Sequence, residues 1–152
     1  MKHAFGLTVV ALAATLYGGS AGCQNEGLRG PMMGFHYGVP LKWSAVLAMP
    51  LRKDRRTDSD IFMYGEPGIG GWRAGLGYLR FTSNLGGGYV LRASALRTAG
   101  RPWRADKYTT YVGGELQYMP LFVMGVRVGG YARVSKGTGK RGLLSVDLSL
   151  ML

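Results

Sequence analysis

Few side chains in this sequence could do bond-making chemistry, and their spacing narrows the field further. His36 is the one histidine outside the first segment, and Ser44 falls on the same alternate positions, so the two have the types of a base and a nucleophile. Such a site is defined by geometry, with the base oriented by a third group, and not by the residues being present. A single histidine with no cysteine nearby does not make a usual zinc site. The glycine-rich spots are no better placed. Gly68-Ile69-Gly70-Gly71 lacks the Gly-x-Gly-x-x-Gly spacing and the following helix of a dinucleotide site. Gly137-Thr138-Gly139-Lys140-Arg141 lacks the upstream glycine and the Ser or Thr of a phosphate-binding loop. Both read as turns. The expectation is a protein that is not an enzyme, has no catalytic residues, takes no cofactor and holds no metal.

The remaining charged candidates form a pattern. Glu66, Glu115 and Asp147, with Arg73, Arg92 and Arg127, all fall on the polar positions of alternating segments. If those positions face a narrow interior, an unpaired charge there is costly. The six are therefore expected to pair as an interior network that fills the lumen and leaves no open pore. The competing reading is a selectivity or proton path. An eight-strand interior is wide enough only for its own side chains, which favours the structural role.

The elements that must position these residues are strands. In the last segment, Leu144, Val146, Leu148, Leu150 and Leu152 alternate with Ser145, Asp147 and Ser149. This period of two is a β-strand with one apolar and one polar face. Phe35, Tyr37, Val39, Leu41, Trp43, Ala45, Leu47, Met49 and Leu51 repeat it over a stretch too long for one crossing, which takes about 9–11 tilted residues. A turn near Gly38–Pro40 would divide it. Further strands are read around Trp72–Tyr78, Tyr89–Ala95, Val112–Tyr118 and Phe122–Val128, and Ile61–Glu66 leads into a hairpin turn or bulge at Pro67–Gly71. Six strands are read directly, and dividing 35–51 and 61–82 gives eight. Eight is the smallest even count of bacterial membrane barrels and is the expectation here. Tyr78, Phe81, Tyr89, Tyr118 and Phe122 gather near strand ends, as an interfacial aromatic girdle would.

The first segment bears on compartment. Lys2 and His3 precede an apolar run from Ala4 to Tyr17 and then the small residues Gly18–Gly22. A basic start, an apolar stretch and a small-residue exit describe a secretory signal peptide over residues 1–22, leaving residues 23–152 as a single barrel domain. Cys23 is the sole cysteine, so no disulfide forms within the chain. Ser20-Ala21-Gly22-Cys23 resembles a bacterial lipobox, which would make Cys23 a lipidated N-terminus; ordinary cleavage nearby is the alternative.

The terminal strand, the alternation and the leader together resemble the small bacterial outer-membrane β-barrel proteins, the OmpA/OmpX-like class. Strands of that class end in a similar amphipathic segment, usually with Phe where this chain has Leu152. The resemblance implies an all-β, closed antiparallel up-and-down barrel in the bacterial outer membrane, a monomer with a structural or interaction role. Small barrels of this kind include lipid A deacylases and acyltransferases, but His36-Tyr37-Gly38 departs from the His-x-Ser spacing of the deacylases.

The chain carries 19 Lys and Arg against 8 Asp and Glu, a net charge of +11, concentrated in three segments read as long loops. Residues 52–60, 98–107 and 135–142 hold Arg52, Lys53, Arg55, Arg56, Arg101, Arg104, Lys107, Lys136, Lys140 and Arg141, whereas Ser83–Gly88 and Met119-Pro120 read as short turns. On one side of the membrane these cations would form a basic rim over lipopolysaccharide phosphates, which Arg and Lys bind by charge-assisted hydrogen bonds. Solvated loops kept charged for solubility are the bland alternative, and an eight-strand count moves 52–60 to the opposite side. A soluble periplasmic or lipid-anchored barrel binding an apolar ligand is the second functional class. A secreted nucleic-acid binder is the third. It lacks an interleaved aromatic platform in its strands, and export argues against it, so no nucleic-acid partner is expected.

Overall fold

The computed structural model describes residues 30–54, 59–82, 87–121, 124–136 and 140–151. Residues 1–22, read above as a signal peptide, and Cys23, Arg55, Arg56, Phe122 and Leu152 lie outside them. Eight strands follow in order: β1 (Met32–Val39), β2 (Lys42–Asp54), β3 (Ser59–Gly68), β4 (Gly71–Phe81), β5 (Gly88–Thr98), β6 (Thr110–Leu121), β7 (Met124–Arg133) and β8 (Gly142–Met151). Each pairs antiparallel with its neighbours, and β8 returns to β1 to close the barrel. No helix occurs among the described residues. This is the expected fold class and the larger of the two strand counts.

The long alternating stretch does divide, at Pro40-Leu41, and the pairing of Gly38 with Lys42 closes a tight hairpin. Leu41 then departs from its odd-numbered neighbours: it turns inward and is fully buried. The Pro67–Gly71 punctuation becomes a hairpin turn at Ile69-Gly70. Gly71 there has φ of +146°, a conformation that a side chain rarely adopts, and a Cβ would meet the Arg97 carbonyl.

Three sequence expectations, two about connections and one about the aromatic girdle, are corrected. Of the segment 52–60, residues 52–54 and 59–60 are strand, because a register shift between Pro50 and Arg52 lets the β2–β3 ladder continue to Asp54 and Ser59. Met119 and Pro120 are strand residues of β6 and not a turn. Phe81 packs against the inner apolar cluster and leaves the outer girdle. In an up-and-down barrel successive connections alternate ends. One end, the loop end, carries the Pro40-Leu41 and Ile69-Gly70 turns with segments 99–109 and 134–141. The opposite, terminal end holds the start of β1, the end of β8, and the β2–β3, β4–β5 and β6–β7 connections.

The barrel is apolar outside and polar at its centre. Along β8, Leu144, Val146, Leu148 and Leu150 are exposed while Ser145, Asp147 and Ser149 are buried. The same parity exposes Trp43, Leu47 and Met49 on β2, Leu76 on β4, Leu91 on β5, Val112, Leu116 and Tyr118 on β6, and Met124, Val126 and Val128 on β7. Among the described residues, charge on this outer face appears only near strand ends, at Arg52, Arg80 and Arg97. Aromatics mark both ends. Tyr37, Trp43, Trp72 and Trp103 stand at the loop end, with Tyr37 and Trp43 at 4.7 Å. Tyr89 and Tyr118 are register partners toward the terminal end.

Candidate functional site

The lumen is stacked in three layers. Toward the terminal end, Val46, Ala48, Phe62, Tyr64, Leu79, Val90 and Met119 form one apolar cluster. Toward the loop end, Leu41, Leu96, Tyr111, Tyr131 and Leu143 form another, with Ala105 of segment 99–109 packed on it. Between them lie the six charged residues that the sequence placed on the polar faces: Glu66, Arg73, Arg92, Glu115, Arg127 and Asp147, none more than 4% exposed.

Antiparallel register brings the six into opposite-charge partners, Glu66 with Arg73, Arg92 with Glu115, and Arg127 with Asp147. Only the last of these register pairs is a close contact. Arg127 donates from Nε and Nη2 to Asp147 Oδ2 at 2.9 and 2.7 Å. It also forks across the lumen, Nη1 to Glu66 Oε2 at 2.8 Å and Nη2 to Glu66 Oε1 at 2.9 Å. Arg73 leaves Glu66, whose Oε2 is 3.9 Å from Nε, and bonds Glu115 across the barrel. Its Nη1 is also 3.4 Å from Asp147 Oδ2. Arg92 donates to Gln117 Oε1 at 2.7 Å, and its guanidinium lies over the Tyr64 ring at 4.8 Å and the Phe62 ring at 5.8 Å. Arg73 and Arg127 thus hold the three carboxylates, whereas Arg92, expected from the sequence in the same ion-pair network, donates to the Gln117 amide and joins the layer without a carboxylate contact. Charge-assisted, forked hydrogen bonds of this kind are the strong ones in a low-dielectric interior.

His36 and Ser44 meet in the same layer, since they are register partners on β1 and β2. Both turn to the same carboxylate. Ser44 Oγ donates to Glu66 Oε1 at 2.6 Å, and His36 Nδ1 lies 3.0 Å from that oxygen. The serine hydrogen is therefore held by the carboxylate and not by the imidazole, and all three groups are buried between the apolar layers. Glu66 was legible as an ion-pair member, but its role as the junction of His36, Ser44 and Arg127 was not. Tyr64, whose hydroxyl donates to Glu115 Oε2 at 3.3 Å, was missed because nothing in its spacing separates it from apolar core. Asp60 was read into a loop; the longer β3 buries it. Among the described residues no cluster of three His, Cys, Asp or Glu is placed to hold a metal ion.

The loop end is covered by segment 99–109. Its backbone bonds the first two hairpin turns: Trp103 N to Pro40 O at 2.9 Å, Ala99 N to Gly70 O at 2.8 Å and Arg101 N to Ile69 O at 3.3 Å. Lys140 N donates to Asp106 Oδ2 at 2.8 Å and so joins the second long segment to the first. The structure gathers Arg101, Arg104, Lys107, Lys136, Lys140 and Arg141 at this end. Arg52 and Lys53 fall at the terminal end, within β2, on the opposite side to these six cations, as the eight-strand count requires. Comparison with protein-family models, with curated proteins and with solved structures matches none of them.

Proposed function

We propose that this protein is a small barrel of the bacterial outer membrane, with a structural or interaction role and not an enzymatic one. One observation carries the reading: a closed eight-stranded barrel that exposes its large apolar side chains all round and buries its charges at the centre. In water that arrangement is costly, because it leaves a belt of apolar surface hydrated. In hydrocarbon it satisfies every strand, since closure leaves no unpaired edge. Strands of 8–13 residues suit the span of about 9–11 that a tilted crossing takes. The aromatics at both ends fit the headgroup level.

A soluble barrel around an apolar ligand would line its lumen with the residues found here on the outside. The ion-paired layer and the two apolar plugs also favour a filled interior over a pore. In this reading the loop end faces outward, and Arg101, Arg104, Lys107, Lys136, Lys140 and Arg141 meet the phosphates of outer-leaflet lipopolysaccharide.

The test is membrane fractionation of the expressed protein, followed by gel migration with and without boiling. Recovery in the outer membrane with heat-modifiable mobility is the expected result. A periplasmic protein indifferent to boiling overturns the proposal.

A further inference from the structure

At the loop end, outside the lumen, the β1–β8 seam opens into a cleft of about 320 Å³. That volume lies within the ~300–1,000 Å³ of small-molecule sites. Its wall is the outer face of the seam, where Val39 and Val146 are register partners and Leu144 stands beside them, 68% exposed. Its rim is cationic: Arg104 comes from segment 99–109 and Lys140 from segment 134–141. The two segments are held together by the bond from Lys140 N to Asp106 Oδ2 at 2.8 Å. Two cations from separate loops therefore overhang an apolar strand face that continues down the barrel wall through Leu148 and Leu150. The order is amphipathic along the barrel axis, with positive charge above and hydrocarbon-compatible surface below.

We infer that this cleft binds a phosphorylated membrane lipid, its phosphate between Arg104 and Lys140 and one acyl chain against Val39, Val146 and Leu144. Charge complementarity selects an anionic headgroup, and phosphate accepts charge-assisted hydrogen bonds from both residue types. The apolar wall selects a lipid over a free anion, which would leave Val39, Val146 and Leu144 uncovered. The site rests on the outer-membrane reading above and narrows it: the loop-end cations do not act as one diffuse surface, and two of them form a lipid site with the seam.

The probe is phosphatidic acid mixed into phosphatidylcholine nanodiscs, with lipids retained by the folded barrel read by native mass spectrometry. The wild-type chain should retain phosphatidic acid in preference to phosphatidylcholine. Arg104→Gln with Lys140→Gln should lower that preference on the order of tenfold, as expected when charge-assisted hydrogen bonds are lost. Arg104 has φ of 59°, so Arg104→Gly keeps the loop backbone comfortable while removing the charge, and it should act in the same direction. Arg104→Lys should keep most of the preference. Arg101→Gln with Lys107→Gln removes equal charge outside the cleft and should leave it intact. Equal loss in this control overturns the cleft in favour of diffuse attraction. Displacement of the lipid by soluble glycerol phosphate at matched concentration overturns the acyl-chain contact. A barrel that folds in nanodiscs but shows no preference overturns the site and leaves the membrane reading standing. A chain that fails to enter nanodiscs overturns both.

Discussion

Arg127 gives four hydrogen bonds to two carboxylates, Glu66 from β3 and Asp147 from β8, and so ties opposite walls of the barrel together. Truncating it leaves two buried carboxylates without their main partner. Arg127→Ala should cost about 3–5 kcal/mol of stability, the range for breaking a buried pair from one side. Urea unfolding in detergent micelles measures it, and Arg127→Lys should recover only part, because an ammonium cannot reproduce the fork. Glu115→Ala acts on the other half of the layer. It removes Arg73's closest carboxylate, leaving Asp147 at 3.4 Å, and the acceptor of the Tyr64 hydroxyl, so thermal stability in detergent should fall. An unchanged transition would mean that the layer is not a coupled network.

Glycine lets the first and last strands approach closely at the seam. A Cβ on Gly38 of β1 would strike the Val146 carbonyl and Asp147 of β8, whereas a Cβ on Gly130 of β7 would meet nothing. Gly38→Ala should therefore impair closure between the first and last strands and lower the fraction that runs as the compact, unboiled form on a gel. Gly130→Ala, on the outer face, should fold as the parent does. If the two behave alike, backbone approach at the seam is not what limits closure. Segment 99–109 lies at this same loop end. Its bonds to Pro40, Ile69 and Gly70 let one loop cover the barrel mouth without a helix or further strand.

For the molecule as a whole, the solvent around the belt is the deciding quantity. Leu116 lies near the middle of β6 and is exposed. In a bilayer Leu116→Arg should cost about 2–4 kcal/mol, the depth-dependent penalty of a cation on the lipid face, whereas around a soluble barrel it would be close to neutral. Folding equilibria in lipid vesicles separate the two. The lumen makes a second molecular prediction. With an ion-paired layer between two apolar plugs, the barrel inserted in a planar bilayer should give no discrete conductance steps. Regular steps would show that the layer opens to an aqueous path.

What the sequence determined by itself is parity. Alternation with a period of two put Glu66, Arg73, Arg92, Glu115, Arg127 and Asp147 on one face and Leu144, Val146, Leu148 and Leu150 on the other, because successive side chains of a strand must point to opposite sides. The structure's antiparallel register then made the six opposite-charge neighbours, by pairing β3 with β4, β5 with β6 and β7 with β8. Parity does not say which face curves inward. Only closure of β8 on β1 gave the sheet an inside and assigned it to the charges. Closure also chose the partners: Arg127 reaches Glu66, and Arg73 reaches Glu115, across a lumen whose diameter no local spacing encodes. The extent of β2 was hidden for a related reason. The register shift that extends β2 past Arg52 leaves no mark in the alternation, whereas the split of the cations between two ends follows once the strand count is eight.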